Sequence, residues 1–84
     1  MITKDSIEAA YSFFHQKWRV YKFSTMSWQK DDIELAISDY VEQMSKDLYR
    51  EIAHGKADYL LDHATFAADL ESAVDRLEQL MANL

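Results

Sequence analysis

The sequence contains no cysteine, no proline and a single glycine, Gly55. Without cysteine the chain forms no disulfide and no thiolate metal site, and it has no cysteine nucleophile. One glycine is too few for a phosphate-binding glycine loop or a GxSxG turn. The scarcity of backbone-interrupting residues, together with many Ala, Leu, Glu and Lys, predicts an all-α fold with short connections.

Long hydrophobic runs are also missing. No apolar stretch approaches the roughly 20 residues that a helix needs to span a bilayer. The first ten residues mix charged with apolar side chains, so we do not expect them to form a signal peptide. A cytoplasmic location is therefore the expectation, and the lack of cysteine fits a reducing compartment.

Basic residues are fewer than acidic residues in this sequence. Nine Lys and Arg stand against fifteen Asp and Glu, which gives a net charge of −6. This balance disfavours non-specific binding to nucleic acid or to an anionic membrane, and it suits a basic protein partner. A length of 84 residues predicts one domain over 1–84, near the lower end of sizes that fold unaided.

Apolar residues recur three or four positions apart along most of the chain, which predicts helices. We expect a compact bundle of four to five helices with short antiparallel connections, at about 4–23, 28–44, 46–54, 56–62 and 65–83. Thr3, Ser45 and Thr65 are the expected N-caps, and Gly55 is the expected left-handed stop. The sequence leaves open a single helix over 56–83, but it favours a break near 62–65.

The terminal helix has the cleanest apolar stripe, so the other segments are expected to cover it. Asp69 falls on the polar remainder of its circumference. The stripe comprises Phe66, Leu70, Ala73, Val74, Leu77, Leu80, Met81 and Leu84.

Aromatic residues are numerous for so small a chain, with four Phe, five Tyr and two Trp. The apolar sector of helix one is wider than one partner helix can cover, and it extends to Phe13 and Val20. Trp28 and Leu35 lie opposite the core stripe of helix two. We therefore predict a protein interface at these four residues, in a homodimer or in an adaptor or inhibitor that binds another protein.

An alternative function, nucleic-acid binding, is suggested by the basic and aromatic stretch 15–23. Lys17, Arg19 and Lys22 would contact phosphates there. However, Trp18 and Tyr21 belong to the predicted core seam, so they would not be free to stack on bases. We regard this as the weaker hypothesis.

Candidates for catalysis or metal binding are few. His54, Asp58 and Asp62 are spaced four apart, and His63 follows, so their side chains are potential metal ligands. Gly55 interrupts the helix that would align them. The serines and threonines cluster at predicted helix caps, where capping explains them. We therefore predict no metal site, no cofactor, no catalytic residue and no small-molecule substrate.

Overall fold

The computed structural model describes residues 2–83, and in that range the protein is an all-α bundle without strands, as predicted. Four predicted helices are confirmed to within one or two residues at each end. The predicted helix at 56–62 is wrong, and the break near 62–65 is present as a 3₁₀ helix. The elements are α1 (Lys4–Phe23), α2 (Ser27–Gln43), α3 (Lys46–Ala53), the 3₁₀ helix (His63–Thr65) and α4 (Phe66–Ala82).

Polar side chains fix where the first and third helices begin. The Thr3 hydroxyl accepts a hydrogen bond from the Ser6 N–H at 3.1 Å, and the Ser6 hydroxyl accepts one from the Thr3 N–H at 3.0 Å. This reciprocal cap satisfies donors that the first turn of α1 leaves free. Ser45 caps α3 through a single hydrogen bond, which its hydroxyl accepts from the Leu48 N–H at 3.4 Å.

The end of α3 uses two left-handed residues rather than one. His54 has φ 55° and Gly55 has φ 83°, so the predicted stop begins one residue earlier than expected. A Cβ atom at Gly55 would meet nothing within 4 Å. The preference for glycine there therefore comes from the backbone conformation and not from crowding.

The core forms where α4 packs against α1 and α3, with α2 packed on α1. The predicted stripe of α4 is confirmed from Phe66 to Leu77, while Leu80 and Met81 lie half-buried at its rim. Leu84 lies outside the described residues. The largest fully buried side chains are Phe14, Ile37, Leu48, Ile52, Leu60, Phe66, Leu70 and Leu77.

The α3–α4 connection (residues 54–65) replaces the predicted helix at 56–62 with a series of turns. Asp58 and Leu60 both adopt left-handed backbone conformations, with φ 55° and 66°. Each such residue costs about 1 kcal/mol, and each interrupts a helix. The resulting turns place Tyr59 and Leu60 in the core, where both are buried.

Asp69 of α4 holds this connection in place. Its side chain was expected on the polar surface, yet the residue is only 3% exposed. Its carboxylate accepts hydrogen bonds from the Lys56 ammonium at 2.5 Å, the Leu60 N–H at 3.0 Å and the Thr65 hydroxyl at 3.2 Å. The periodicity of α4 could not predict this burial, because the donors come from a segment with no regular structure.

Two tyrosines complete the attachment of the connection. The Tyr59 hydroxyl donates to the Asp69 carbonyl at 2.8 Å and lies 2.5 Å from the Ser72 hydroxyl. The Tyr49 hydroxyl of α3 donates to the Tyr59 carbonyl at 2.7 Å. A tyrosine phenol is protonated at neutral pH, and burial raises the pKa of Tyr59 further, so its hydroxyl remains a hydrogen-bond donor. The irregular segment is thereby joined to both α3 and α4.

Candidate interaction surfaces

One side of α1, here called its outer face, is left uncovered by the rest of the described chain. Every residue on it is exposed. Acidic side chains lie toward its N-terminal end, and Arg19 lies toward its C-terminal end beside Val20 and Phe23. The face comprises Asp5, Glu8, Ala9, Ser12, Gln16, Arg19, Val20 and Phe23.

Large apolar side chains gather where α1 meets α2, at a site that we call the α1–α2 corner (Val20, Phe23, Met26 and Trp28). Phe23 is 74% exposed and Trp28 is 62% exposed. Val20 links them, because it lies beside Phe23 on the outer face of α1 and shares with Trp28 a hollow of about 260 Å³ between the two helices. Val20 therefore borders one hollow with Phe23 and another with Trp28.

The exposed side of α2, here called its outer face, combines apolar and acidic side chains. Trp28 and Leu35 are seven residues apart, which places them on one side of a helix. Leu35 is 66% exposed. The acidic residues exposed along this face are Asp31, Asp32, Asp39 and Glu42. Such a surface complements a partner that is both basic and apolar.

A second hollow, of about 400 Å³, lies between α2 and the α3–α4 connection, and Leu35 and Leu61 are among its lining residues. At its edge the Nδ1 atom of His63 lies 2.9 Å from Oε2 of Glu34. The hydrogen bond to Glu34 and the negative charge of Glu34 raise the pKa of His63, and Asp31 contributes in the same direction. The edge of the hollow therefore changes charge with pH.

The four residues predicted as an interface do not all have the same surroundings. Val20, Trp28 and Leu35 are exposed. Phe13 is half-buried, with its ring stacked on Tyr40 of α2 at a centroid distance of 4.4 Å. Phe13 therefore contributes to packing between α1 and α2 within one copy, and its part in an interface stays a prediction.

Sequence reasoning missed two members of the corner, Phe23 and Met26. A signal for Phe23 was available, because it lies 16 positions after the buried Ile7 and hence about 160° around the helix from it. Met26 carried no such signal, since it lies in the α1–α2 connection (residues 24–26), outside any periodic pattern.

The three cations proposed as phosphate contacts do not converge. Lys17 and Arg19 point to nearly opposite sides of α1, because two residues correspond to a rotation of about 200°. The ammonium of Lys17 lies 5.5 Å from the centre of the Phe13 ring, and that of Lys22 lies 4.9 Å from Trp18. Nucleic-acid binding thus stays a prediction, and a complex that weakens steeply with salt would support it.

The residues considered for metal binding are engaged separately. His54 ends α3, the Asp62 side chain caps the 3₁₀ helix by accepting from the Ala64 N–H at 3.0 Å, and His63 pairs with Glu34. Within residues 2–83, no group of three or more His, Asp or Glu side chains is placed to hold a metal ion. In the same range, no helix has the length and apolar character to cross a membrane.

Comparison with known proteins does not add a functional assignment. The chain matches no family model, and searches of curated proteins and of solved structures found no significant match. Inference about function therefore rests on the surfaces described above.

Proposed function

We propose that this protein is a non-enzymatic interaction module that works through protein–protein contacts made by the outer faces of α1 and α2. The observation that supports this is the exposure of Phe23, Trp28 and Leu35, each more than three-fifths accessible. Single exposed apolar residues are normal on protein surfaces, but a continuous patch of large ones marks an interaction site. The α1–α2 corner brings four exposed apolar side chains to the region where the two helices are joined.

The chemistry of α2 favours a basic partner on its outer face. Trp28 is the type of side chain that most often anchors an interface, and Leu35 offers a second apolar contact seven residues away. Acidic residues surround both, and the whole chain carries a net charge of −6. A partner segment with apolar residues flanked by Lys or Arg would be steered toward this face and held there, as in an adaptor or an inhibitor.

Site-specific photo-cross-linking in cells tests the proposal. A benzoylphenylalanine in place of Trp28 or Leu35 is expected to give adducts of defined mass. The same group in place of Glu78 or Gln79, which are exposed on α4, provides the matched control. Adding Asp31→Lys and Asp32→Lys should weaken the adducts formed on α2, because the partner is proposed to be basic. Adducts of equal yield at all four positions, or at none, would contradict the proposal.

A further inference from the structure

The exposed side of α1 has its charges separated along its length. Asp5 and Glu8 lie in the first third of the helix together with Lys4, whose ammonium lies 3.9 Å from Glu8, and Arg19 and Lys22 lie in the last third. All five are exposed, and the first third is net negative while the last third is net positive. The side chains between them on the outer face are small or neutral, namely Ala9, Ser12 and Gln16. A surface divided in this way is complementary to a copy of itself that runs in the opposite direction.

The spacing of the residues along the outer face of α1 is also symmetric when the direction of the helix is reversed. Its central residues are separated by four, three, four, three and four positions, as is any row along one side of an α-helix. The order is unchanged when the direction is reversed, so two antiparallel copies align residue against residue. These central residues are Asp5, Ala9, Ser12, Gln16, Arg19 and Phe23.

In that alignment Ser12 of each copy lies opposite Gln16 of the other, Asp5 lies opposite Phe23, and Glu8 meets Arg19 on both sides of this centre. Glu8 falls between the levels of Arg19 and Lys22 of the second copy, and the two-fold axis repeats this contact. A parallel alignment would instead place Glu8 against Glu8 and Arg19 against Arg19. Charge complementarity therefore selects the antiparallel arrangement.

Exposed apolar side chains at the two ends of α1 also favour the antiparallel arrangement, because it would bury them. Phe23, at the C-terminal end of α1, is 74% exposed, and Ile2, just before its N-terminal end, is also exposed. Antiparallel pairing brings these two ends of different copies together, whereas parallel pairing keeps them about 30 Å apart along a 20-residue helix.

We infer that the occupant of the outer face of α1 is a second copy of this chain, bound antiparallel across a two-fold axis near Ser12 and Gln16. The inference rests on the proposed function, since it names the partner of one of the two proposed interaction faces. One helix face is smaller than the roughly 800 Å² per partner of a standard interface. The dimer is accordingly weak and reversible, and salt lowers its affinity.

Charge reversal on separate copies tests the inference. Glu8→Lys places four cations together in its homodimer, namely the new lysine, Lys4 beside it, and Arg19 and Lys22 of the other copy, and Arg19→Glu with Lys22→Glu places three anions together. Each variant alone is expected to raise the dissociation constant about tenfold or more, as measured by sedimentation equilibrium. An equimolar mixture of the two is expected to associate again, because each substituted side chain then faces a side chain of opposite charge in the other copy. Circular dichroism of each variant verifies that the helices remain folded.

The absence of native cysteine allows a test of orientation. Ser12→Cys and Gln16→Cys are both substitutions at exposed positions. The antiparallel dimer predicts that a mixture of the two variants forms a disulfide faster than either variant alone. Faster cross-linking of Ser12→Cys with itself would overturn the antiparallel arrangement, and equal rates in all three samples would indicate random collision and overturn the dimer.

The outcomes separate this inference from the proposed function. If the unmodified chain is monomeric at the highest concentrations tested, the dimer is wrong, yet cross-links at Trp28 and Leu35 would still support an interaction module. If the unmodified chain is dimeric but the mixed charge variants fail to associate, the dimer uses another face and the assignment to α1 is wrong.

Discussion

The α3–α4 connection is irregular but held in place by hydrogen bonds, whereas the α1–α2 corner is mostly helical but has exposed side chains. The connection is irregular and contains left-handed Asp58 and Leu60, yet hydrogen bonds that Tyr49 and Tyr59 donate and that Asp69 accepts fix it to two helices. The corner is mostly regular helix, yet its largest side chains are exposed. Regular backbone and buried side chains are therefore separate properties in this protein.

The α3–α4 connection therefore maintains the fold, whereas the α1–α2 corner is available for contact with a partner. Substitutions in the connection should affect the free energy of unfolding, because buried groups there satisfy one another. Substitutions at the corner should leave unfolding almost unchanged and affect association instead. A chain of 84 residues has only about 4–12 kcal/mol of stability in total, so the two effects are readily distinguished by experiment.

The largest effect is expected at Asp69. Asp69→Ala removes the acceptor of the Leu60 N–H and leaves that buried donor unpaired, which should lower the free energy of unfolding by about 3 kcal/mol in urea titrations. Asp69→Asn retains one acceptor oxygen and should cost less. Asp75→Ala, at an exposed position of the same helix, is the control and should change stability by no more than about 0.5 kcal/mol. Equal losses for Asp69→Ala and Asp75→Ala would refute the role given to Asp69.

Phe13 should give the next largest effect. Its ring stacks on Tyr40 and meets Phe14 edge-on with ring centres 6.0 Å apart, so Phe13→Ala should cost about 1–3 kcal/mol of unfolding free energy even in a monomer. Thermal and urea unfolding at low concentration measure this. A stability that falls only at concentrations where the chain self-associates would show instead that Phe13 acts mainly in an interface.

Substitutions of Phe23 and Trp28 should affect association and leave the stability of the fold almost unchanged. Because both are mostly exposed, Phe23→Ser and Trp28→Ser should each change the free energy of unfolding by no more than about 0.5 kcal/mol. Phe23→Ser should weaken the dimer in sedimentation experiments. Trp28→Ser should remove the cross-links formed on α2 when the photoreactive group replaces Leu35. A loss of stability comparable with that of Phe13→Ala would show that the corner belongs to the fold.

The smallest effect concerns His63 and pH. Glu34 raises the pKa of His63 in the folded chain above its ordinary value near 6.5, so the pair stabilises the folded state at lower pH. That contribution is lost as pH rises through the raised pKa. His63→Gln should abolish this part of the pH dependence, while His54→Asn should retain it. Proton NMR titration of the imidazole checks the shift directly, and an unshifted His63 would contradict the pairing.

Periodicity and caps were sufficient to predict the regular parts of this fold. The bounds of α1 follow from the Thr3 cap and from an apolar seam that continues to Tyr21, and the stripe of α4 follows from its own spacing. The α3–α4 connection could not be predicted in this way. Its turns depend on donors meeting the Asp69 carboxylate from as far as 13 residues away, which no local pattern records.

Prediction of the candidate surfaces succeeded where exposure follows from helical geometry alone. Trp28 and Leu35 were expected opposite the core stripe of α2, and both are exposed. Phe13 and Val20 both lie roughly 120° around α1 from its apolar seam, yet Val20 is exposed while Tyr40 of α2 covers Phe13. Whether a side chain just outside a seam is covered depends on the packing of neighbouring helices, which the sequence of one helix does not specify.

The attachment of the α3–α4 connection has a practical consequence for anyone who labels this protein. Surface segments without regular structure are the usual places to insert an epitope or a reporter. Here an insertion between Lys56 and Thr65 would pull apart the groups that bind Asp69. Among the described residues, the hydrogen bonds of the Ser24 hydroxyl in the α1–α2 connection reach at most five positions along the chain, so a tag there should leave the fold intact but would stand at the α1–α2 corner.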